Sequence, residues 1–217
     1  MKVSDAVVAR RSVRQFTDQP IDDLTVADLL ERAARAPSGG NLQPWRIYVV
    51  SGGAMARFRS VVDDVDMGSG EYEIYPPNLW EPHRSNRYRN GEQLYATLGI
   101  TRDDQAGRRR QFARNRDFFG APTALFCFVD RRLGPPQWSD LGMFLQTFML
   151  LAQEAGIDTC AQEYWSVMHE TVRDFVGATD EELLFCGMAI GHADPDAAVN
   201  ALATERMPTD QWLTFVA

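Results

Sequence analysis

"TALFCFV", residues 123–129, carries no charged side chain and nothing polar after its threonine apart from a cysteine thiol. A strand with one wet face alternates apolar and polar residues, so an unbroken apolar run fits a strand covered on both faces. The run therefore predicts a central strand with helices on either side. "WRIYVVS" (45–51), "DTCAQE" (158–163) and "ELLFCGMAIG" (182–191) read as further strands, the first and last rich in β-branched, aromatic or other large apolar residues. Between them lie helical patterns. Ser4 followed by Asp5 can cap a first helix through about Arg10, and Leu24, Ala27, Leu30 and Ala34 repeat at helical spacing before Pro37. Residues 54–65, 100–115, 139–155 and 169–178 complete the helices, with Gly177 as the C-cap of the last. The tail "TERMPTDQWLTFVA" (204–217) ends in a short strand-like segment. The expected class is α+β: a central mixed, mainly antiparallel sheet of about four or five strands flanked by helices.

A chain of 217 residues suits one domain spanning 1–217, and its 45 % hydrophobic content is ordinary for a globular protein. A net charge of −8 argues against a nucleic-acid partner, which favours a basic face. Cys127, Cys160 and Cys186 are odd in number and set in apolar runs, so they read as buried and reduced rather than as disulfides or a zinc site. The opening "MKVSDAVVARRS" lacks an apolar stretch of signal-peptide length, and "LGMFLQTFMLLA" (141–152) is about half as long as a bilayer requires. The expectation is a cytoplasmic protein with no membrane partner. The apolar 141–152 helix would be buried in the core or at a subunit interface.

Several stretches carry candidate chemistry. "RRSVR" sets Arg10, Arg11 and Arg14 around Ser12, and forked guanidinium donors with a hydroxyl suit a phosphate. An exposed helix end, where cations meet the helix dipole, is the competing account. Arg206 gains meaning if the fold brings it to that cluster. "PSGGNLQPW" (37–45) combines a helix stop, permissive glycines and polar edges, as a turn or as a ligand-facing surface. "CAQE" (160–163) is a strand end where backbone N–H groups and Glu163 could face a ligand. Residues 66–92, rich in Pro, Gly and aromatics, form an expected lid-like loop excursion. The Arg108-Arg109-Arg110 run reads as a solvated face. No dinucleotide fingerprint, P-loop or nucleophile elbow occurs, and His83, His169 and His192 are too far apart to suggest a metal. Without a nucleophile, base or metal, difficult chemistry would fall to a cofactor.

"ARRSVRQF" (9–16), "APSGGNLQPW" (36–45) and Asn200, separated by five residues from "RMP" (206–208), in that order, resemble the FMN-dependent nitroreductase family. "FGAP" (119–122) and "FCGMAIG" (185–191) fall in register as well. The resemblance implies a sandwich fold forming a domain-swapped homodimer with FMN at the subunit interface. It implies that Arg10, Arg11, Ser12, Arg14 and Arg206 hold the phosphate and ribityl end. Pro37, Ser38, Gly39 and Asn41 would come from the partner subunit. Asn115 would meet the pyrimidine edge, and Ala161, Gln162 and Glu163 would approach the flavin N5. Tyr164 would narrow the pocket, and Tyr75, Trp80 and Tyr88 of the excursion would cover it. The residues differ from many members at Phe118, Ala161, Tyr164 and Thr204, where Lys, Pro, Gly and Lys are common. NADH or NADPH would be the electron donor, a nitroaromatic or quinone the small aromatic acceptor, and FMN N5 rather than any side chain the reacting centre. Reductive dehalogenation, flavin cleavage and non-catalytic flavin binding are the alternatives, the first with Glu71, Tyr75 and Arg87 as a substrate clamp.

Overall fold

The structure, a computed structural model, describes residues 1–216. The apolar run becomes β2 (Thr123–Asp130), in which seven residues are buried. Its side chains alternate between two cores. Ala124, Phe126 and Phe128 join one with α3 (Gly52–Asp63) and α7 (His169–Val176). Leu125, Cys127 and Val129 join the other with α2 (Asp23–Ala33) and α6 (Pro135–Glu154). With β1 (Arg46–Ser51), β3 (Asp158–Gln162) and β4 (Glu182–Gly191), the sheet runs β1-β2-β4-β3.

Each strand pairs antiparallel with its neighbour, so the expectation of a mixed sheet is corrected. Among the described residues, parallel pairing is confined to one isolated bridge, Ser12 with Thr159. The Val13 N–H donates to the Thr159 carbonyl at 3.0 Å, and Phe16 then bridges to Ala193 beyond the end of β4. That single bridge lays the arginine-bearing N-terminal segment along the β3 edge. The tail forms no strand: Phe215 and Val216 are exposed, and Ala217 lies outside the described residues.

Local chemistry corrects other expectations. α1 (Val3–Ala9) is not capped by Ser4; the Asp5 carboxylate accepts the Lys2 N–H at 3.2 Å instead. α2 buries Val26, Leu29 and Ala33, whereas Leu24 is exposed. Both sets have helical spacing, and only contact with α6 selects one. α5 (Gln105–Ala113) starts after Asp104, whose carboxylate accepts the Gly107 N–H at 2.7 Å. The Arg114–Gly120 segment continues it as 3-10 turns, with Phe118 and Phe119 buried in left-handed conformation (φ 48° and 58°). Bulky residues there carry strain that surrounding packing must offset. Cys127, Cys160 and Cys186 are free and buried. Glycine is required at 187, where a Cβ would lie 2.4 Å from the Trp165 ring.

The 66–92 excursion is only partly a loop. α4 (His83–Thr97) takes up its second half. None of its residues is buried, so no apolar stripe announced it. Contacts on either side hold it: Glu92 with Arg108 at 2.7 Å, Gln93 with Glu205 at 3.2 Å, and Arg108 over the Tyr95 ring at 4.3 Å. The first half is fastened to the body. The Gly68 N–H donates to the Val167 carbonyl, Glu71 pairs with Arg131 at 2.6 Å and accepts the Leu184 N–H, and the Tyr72 hydroxyl donates to the Phe185 carbonyl. No helix among the described residues is long and apolar enough to cross a membrane.

Candidate functional site

β3 ends in Ala161 and Gln162, and the chain then turns into Glu163–Met168 instead of extending the strand. That turn opens the floor of a cleft of about 640 Å³. Arg14 enters from the N-terminal segment, Gln111, Phe112 and Asn115 from the end of α5 and the turn after it, Ile74 and Tyr75 from the excursion, and Leu94 and Tyr95 from α4. Arg14, Asn115, Ala161, Gln162, Glu163, Tyr75 and Tyr164, seven residues singled out in the sequence, therefore share one cavity.

Its polar groups are held in fixed orientations. The Gln162 amide nitrogen donates to both the backbone and side-chain oxygens of Asn115 at 3.0 Å each. Asn115 in turn donates to the Phe112 carbonyl at 2.8 Å. Gln162 is buried, and its Oε1 has no partner among the described residues. A buried acceptor without a donor costs free energy until a ligand N–H or water meets it. Glu163 is pushed above the usual carboxylate range by burial in the cleft, with a hydrogen bond from Tyr75 opposing. The Tyr164 ring lies edge-on to Phe112, and its hydroxyl accepts from Arg116 Nε at 3.0 Å.

The arginines form a second feature. Arg10, Arg11 and Arg206 line a cavity of about 610 Å³. Arg14 faces the first cleft, and its guanidinium reaches only the Ser12 carbonyl, at 3.3 Å. None of these four has a carboxylate partner among the described residues. Arg206 is tied to its own loop through Thr204 and the Glu205 carbonyl. The Cys160 thiol marks where the N-terminal cluster converges on β3. Burial raises its pKa, while Arg14, the Ser12 hydroxyl and Arg10 work against that. In a protein of charge −8, four arginines without carboxylate partners, divided between two cavities, suit an oxyanion.

Other expected residues lie elsewhere. Pro37, Ser38, Gly39 and Asn41 line neither cavity of this chain. Their turn is fastened by the Gly39 N–H to buried Asp140 (3.2 Å) and the Gln43 N–H to Ser38 Oγ (3.0 Å), with Gly40 and Asn41 at φ 60° and 57°. Pro37, Gly39 and Asn41 are exposed. Trp80 and Tyr88 are also exposed and away from the cleft, Trp80 edge-on to His83 and Tyr88 under Arg102. Glu71 is taken up by Arg131 and the Leu184 N–H, so it does not act as a substrate clamp.

Sequence reasoning missed Asn200 as a splint. Its side chain accepts the Arg14 N–H at 2.9 Å and donates to the Gln15 and Asp194 carbonyls. Its fixed spacing to Arg206 was the available signal. Phe112, Phe119, Leu94 and Tyr95 also line the cleft, but they carried no chemical signature.

The profile described as "Nitroreductase family" matches residues 7–192. Nitrobenzene nitroreductase of Ectopseudomonas oleovorans is 37 % identical, covering 99 % of this chain and 96 % of the relative. 4-Nitrobenzoate reductase of Pseudomonas putida is also 37 % identical, over 95 % of this chain and 91 % of the relative. Among solved structures, the FMN and NADPH-dependent nitroreductase NfnB from Sphigopyxis sp. strain HMH superposes with a TM-score of 0.96 at 45 % identity, covering 100 % of both chains.

Proposed function

The chain belongs to the nitroreductase family, and on that premise we propose that it is an FMN- and NADPH-dependent oxidoreductase that reduces nitroaromatic compounds. The observation that carries the assignment to this site is the meeting, in the cleft at the end of β3, of Arg14, which has no carboxylate partner among the described residues, with the fixed, half-satisfied Gln162. Their chemistry fits FMN: a phosphate for the arginines and a ring-edge N–H for the orphaned Gln162 Oε1. Arg10, Arg11, Ser12, Arg14 and Arg206 would hold the phosphate and ribityl end. Asn115 and Gln162 would meet the ring edge, with the Ala161–Glu163 backbone beside it.

When bound, FMN supplies the hydride-accepting and hydride-donating chemistry. The protein supplies placement and charge. Arg14 offsets negative charge in the cleft, where low dielectric strengthens the interaction. Ile74, Phe112 and Tyr164 line a largely apolar space that suits a planar aromatic acceptor. No side chain needs to act as an acid or base.

The proposal includes a homodimer in which the partner's Pro37–Asn41 turn completes the flavin site. Supporting it, that turn is exposed and apart from the arginines, while Val7, Val8, Met143, Phe215 and Val216 present apolar surface. Residues 1–217 would then form one flavin-binding domain with a lid at about 66–92, in the cytoplasm. The test is anaerobic titration of the purified yellow protein. NADPH should bleach the flavin absorbance and nitrobenzene should restore it; no bleaching overturns the assignment. A monomer by light scattering at micromolar concentration overturns the dimer.

A further inference from the structure

A third cavity, of about 500 Å³, adjoins the cleft and has no role in what has been described so far. Met67, Tyr95, Phe112 and Tyr164 line both spaces, so the two share walls. Its remaining lining comes from Gln105, Arg108, Arg109, Ala113 and Arg116. Three guanidiniums and three aromatic rings thus face one space, and no carboxylate lines it.

The three arginines are not equivalent. Arg108 is neutralised by a two-pronged pair with Glu92, at 2.7 and 3.1 Å. Arg109 and Arg116 have no carboxylate partner among the described residues. Arg116 is also fixed in place: it donates to the Tyr164 hydroxyl at 3.0 Å and to the Val62 carbonyl at 3.2 Å. A pre-positioned guanidinium with its charge unmatched, beside aromatic faces, suits a planar ring that carries an oxyanion.

We infer that this cavity receives the adenosine end of the nucleotide donor, and that Arg109 and Arg116 bind its 2′-phosphate and so set a preference for NADPH over NADH. The inference rests on the proposed NADPH-dependent function. A small nitroarene is accommodated by the cleft alone. An extended dinucleotide with its nicotinamide in the cleft must continue outward, and this cavity shares the cleft's walls. Phosphate is matched by forked donors, and NADH, lacking it, would leave both cations unpaired.

The test compares wild type, Arg109→Gln, and Arg109→Gln with Arg116→Gln as flavin-loaded enzymes. The NADPH-to-NADH ratio of kcat/KM is expected to fall about tenfold or more per guanidinium removed, chiefly through weaker NADPH binding. By calorimetry, adenosine 2′,5′-bisphosphate should bind wild type more tightly than 5′-AMP, and the double variant should bind the two alike. An unchanged ratio with unchanged bisphosphate binding overturns the inference while leaving the nitroreductase assignment standing. Weakened saturation by the carboxylated acceptor, 4-nitrobenzoate, with nitrobenzene and both nucleotides unaffected, also overturns it, placing the anion on the acceptor. Failure of wild type to oxidise either nucleotide with a nitroarene overturns the underlying function instead.

Discussion

The cleft has one wall built from the sheet and one from the excursion, and they are held by unlike forces. On the sheet side, Gln162, Tyr164 and Trp165 are buried; Trp165 stacks on Phe118 with 4.6 Å between ring centroids and lies over Gly187. On the excursion side, α4 buries no residue and is held by Glu92–Arg108, Gln93–Glu205 and Arg89–Glu205. Apolar burial is worth kilocalories per side chain, whereas exposed ion pairs are worth little and weaken with salt. The sheet wall can therefore hold a ligand in register, and within the excursion α4 is cheaper to displace than the fastened 67–75 half. A site that must admit a bulky donor and then a different acceptor needs both properties.

The largest expected effect tests the rigid wall. Trp165→Ala should destabilise the protein by about 3–5 kcal/mol through lost burial and the cavity left behind. Tyr88→Ala, on the excursion and exposed, should change stability by no more than about 0.5 kcal/mol. Urea unfolding of both variants measures the contrast, and equal losses would break it.

Flavin retention probes the same contrast through ligand binding. Arg10→Ala with Arg14→Ala should give folded protein that loses about a hundredfold or more in FMN affinity and purifies colourless. Arg87→Ala, which removes only the guanidinium 4.2 Å above Tyr75, should leave the protein yellow. Flavin absorbance against far-UV circular dichroism measures both. Full flavin retention in the double variant would remove the arginines from the site.

What was legible in the sequence follows the same division. β2 showed itself because burial on both faces leaves no polar residue in the run, and Gly177 because a left-handed cap favours glycine. Arg14 was singled out through its arginine cluster, Ala161–Glu163 through a strand end, and Asn115 through the family resemblance; the fold brings them to one cavity. α4 was missed because a helix that is polar all round has no 3.6-residue stripe to read. The buried face of α2 was misplaced because Leu24–Ala27 and Val26–Leu29 satisfy the same period, and only the neighbouring helix decides between them. Trp80 and Tyr88 are exposed and outside this chain's cleft, a placement the sequence could not give, because an aromatic residue in a loop can lie against the body or against solvent.

The smallest effect, and the finest test of the two walls, is their response to acid. Burial raises Glu163, so its contribution to stability is fully present below the unfolded value of about 4.3 and is lost as pH rises through the higher folded-state value. Glu92 is shifted the other way by its hydrogen bond with Arg108, so its contribution is present above that unfolded value and is lost as pH falls through the depressed one. Mild acid should thus relax α4 while relieving the sheet wall. Hydrogen exchange at α4 amides, corrected for intrinsic rates, should quicken relative to β3 as pH drops from about 6 to about 3, with the change at α4 falling below about 4.3. Glu92→Gln should abolish that pH dependence by loosening α4 at both pH values, with little change in global unfolding, because the pair is only part-buried and ties down a helix that buries no residue. If α4 and β3 instead loosen in parallel as pH falls, the two walls open together and the excursion is not an independent lid.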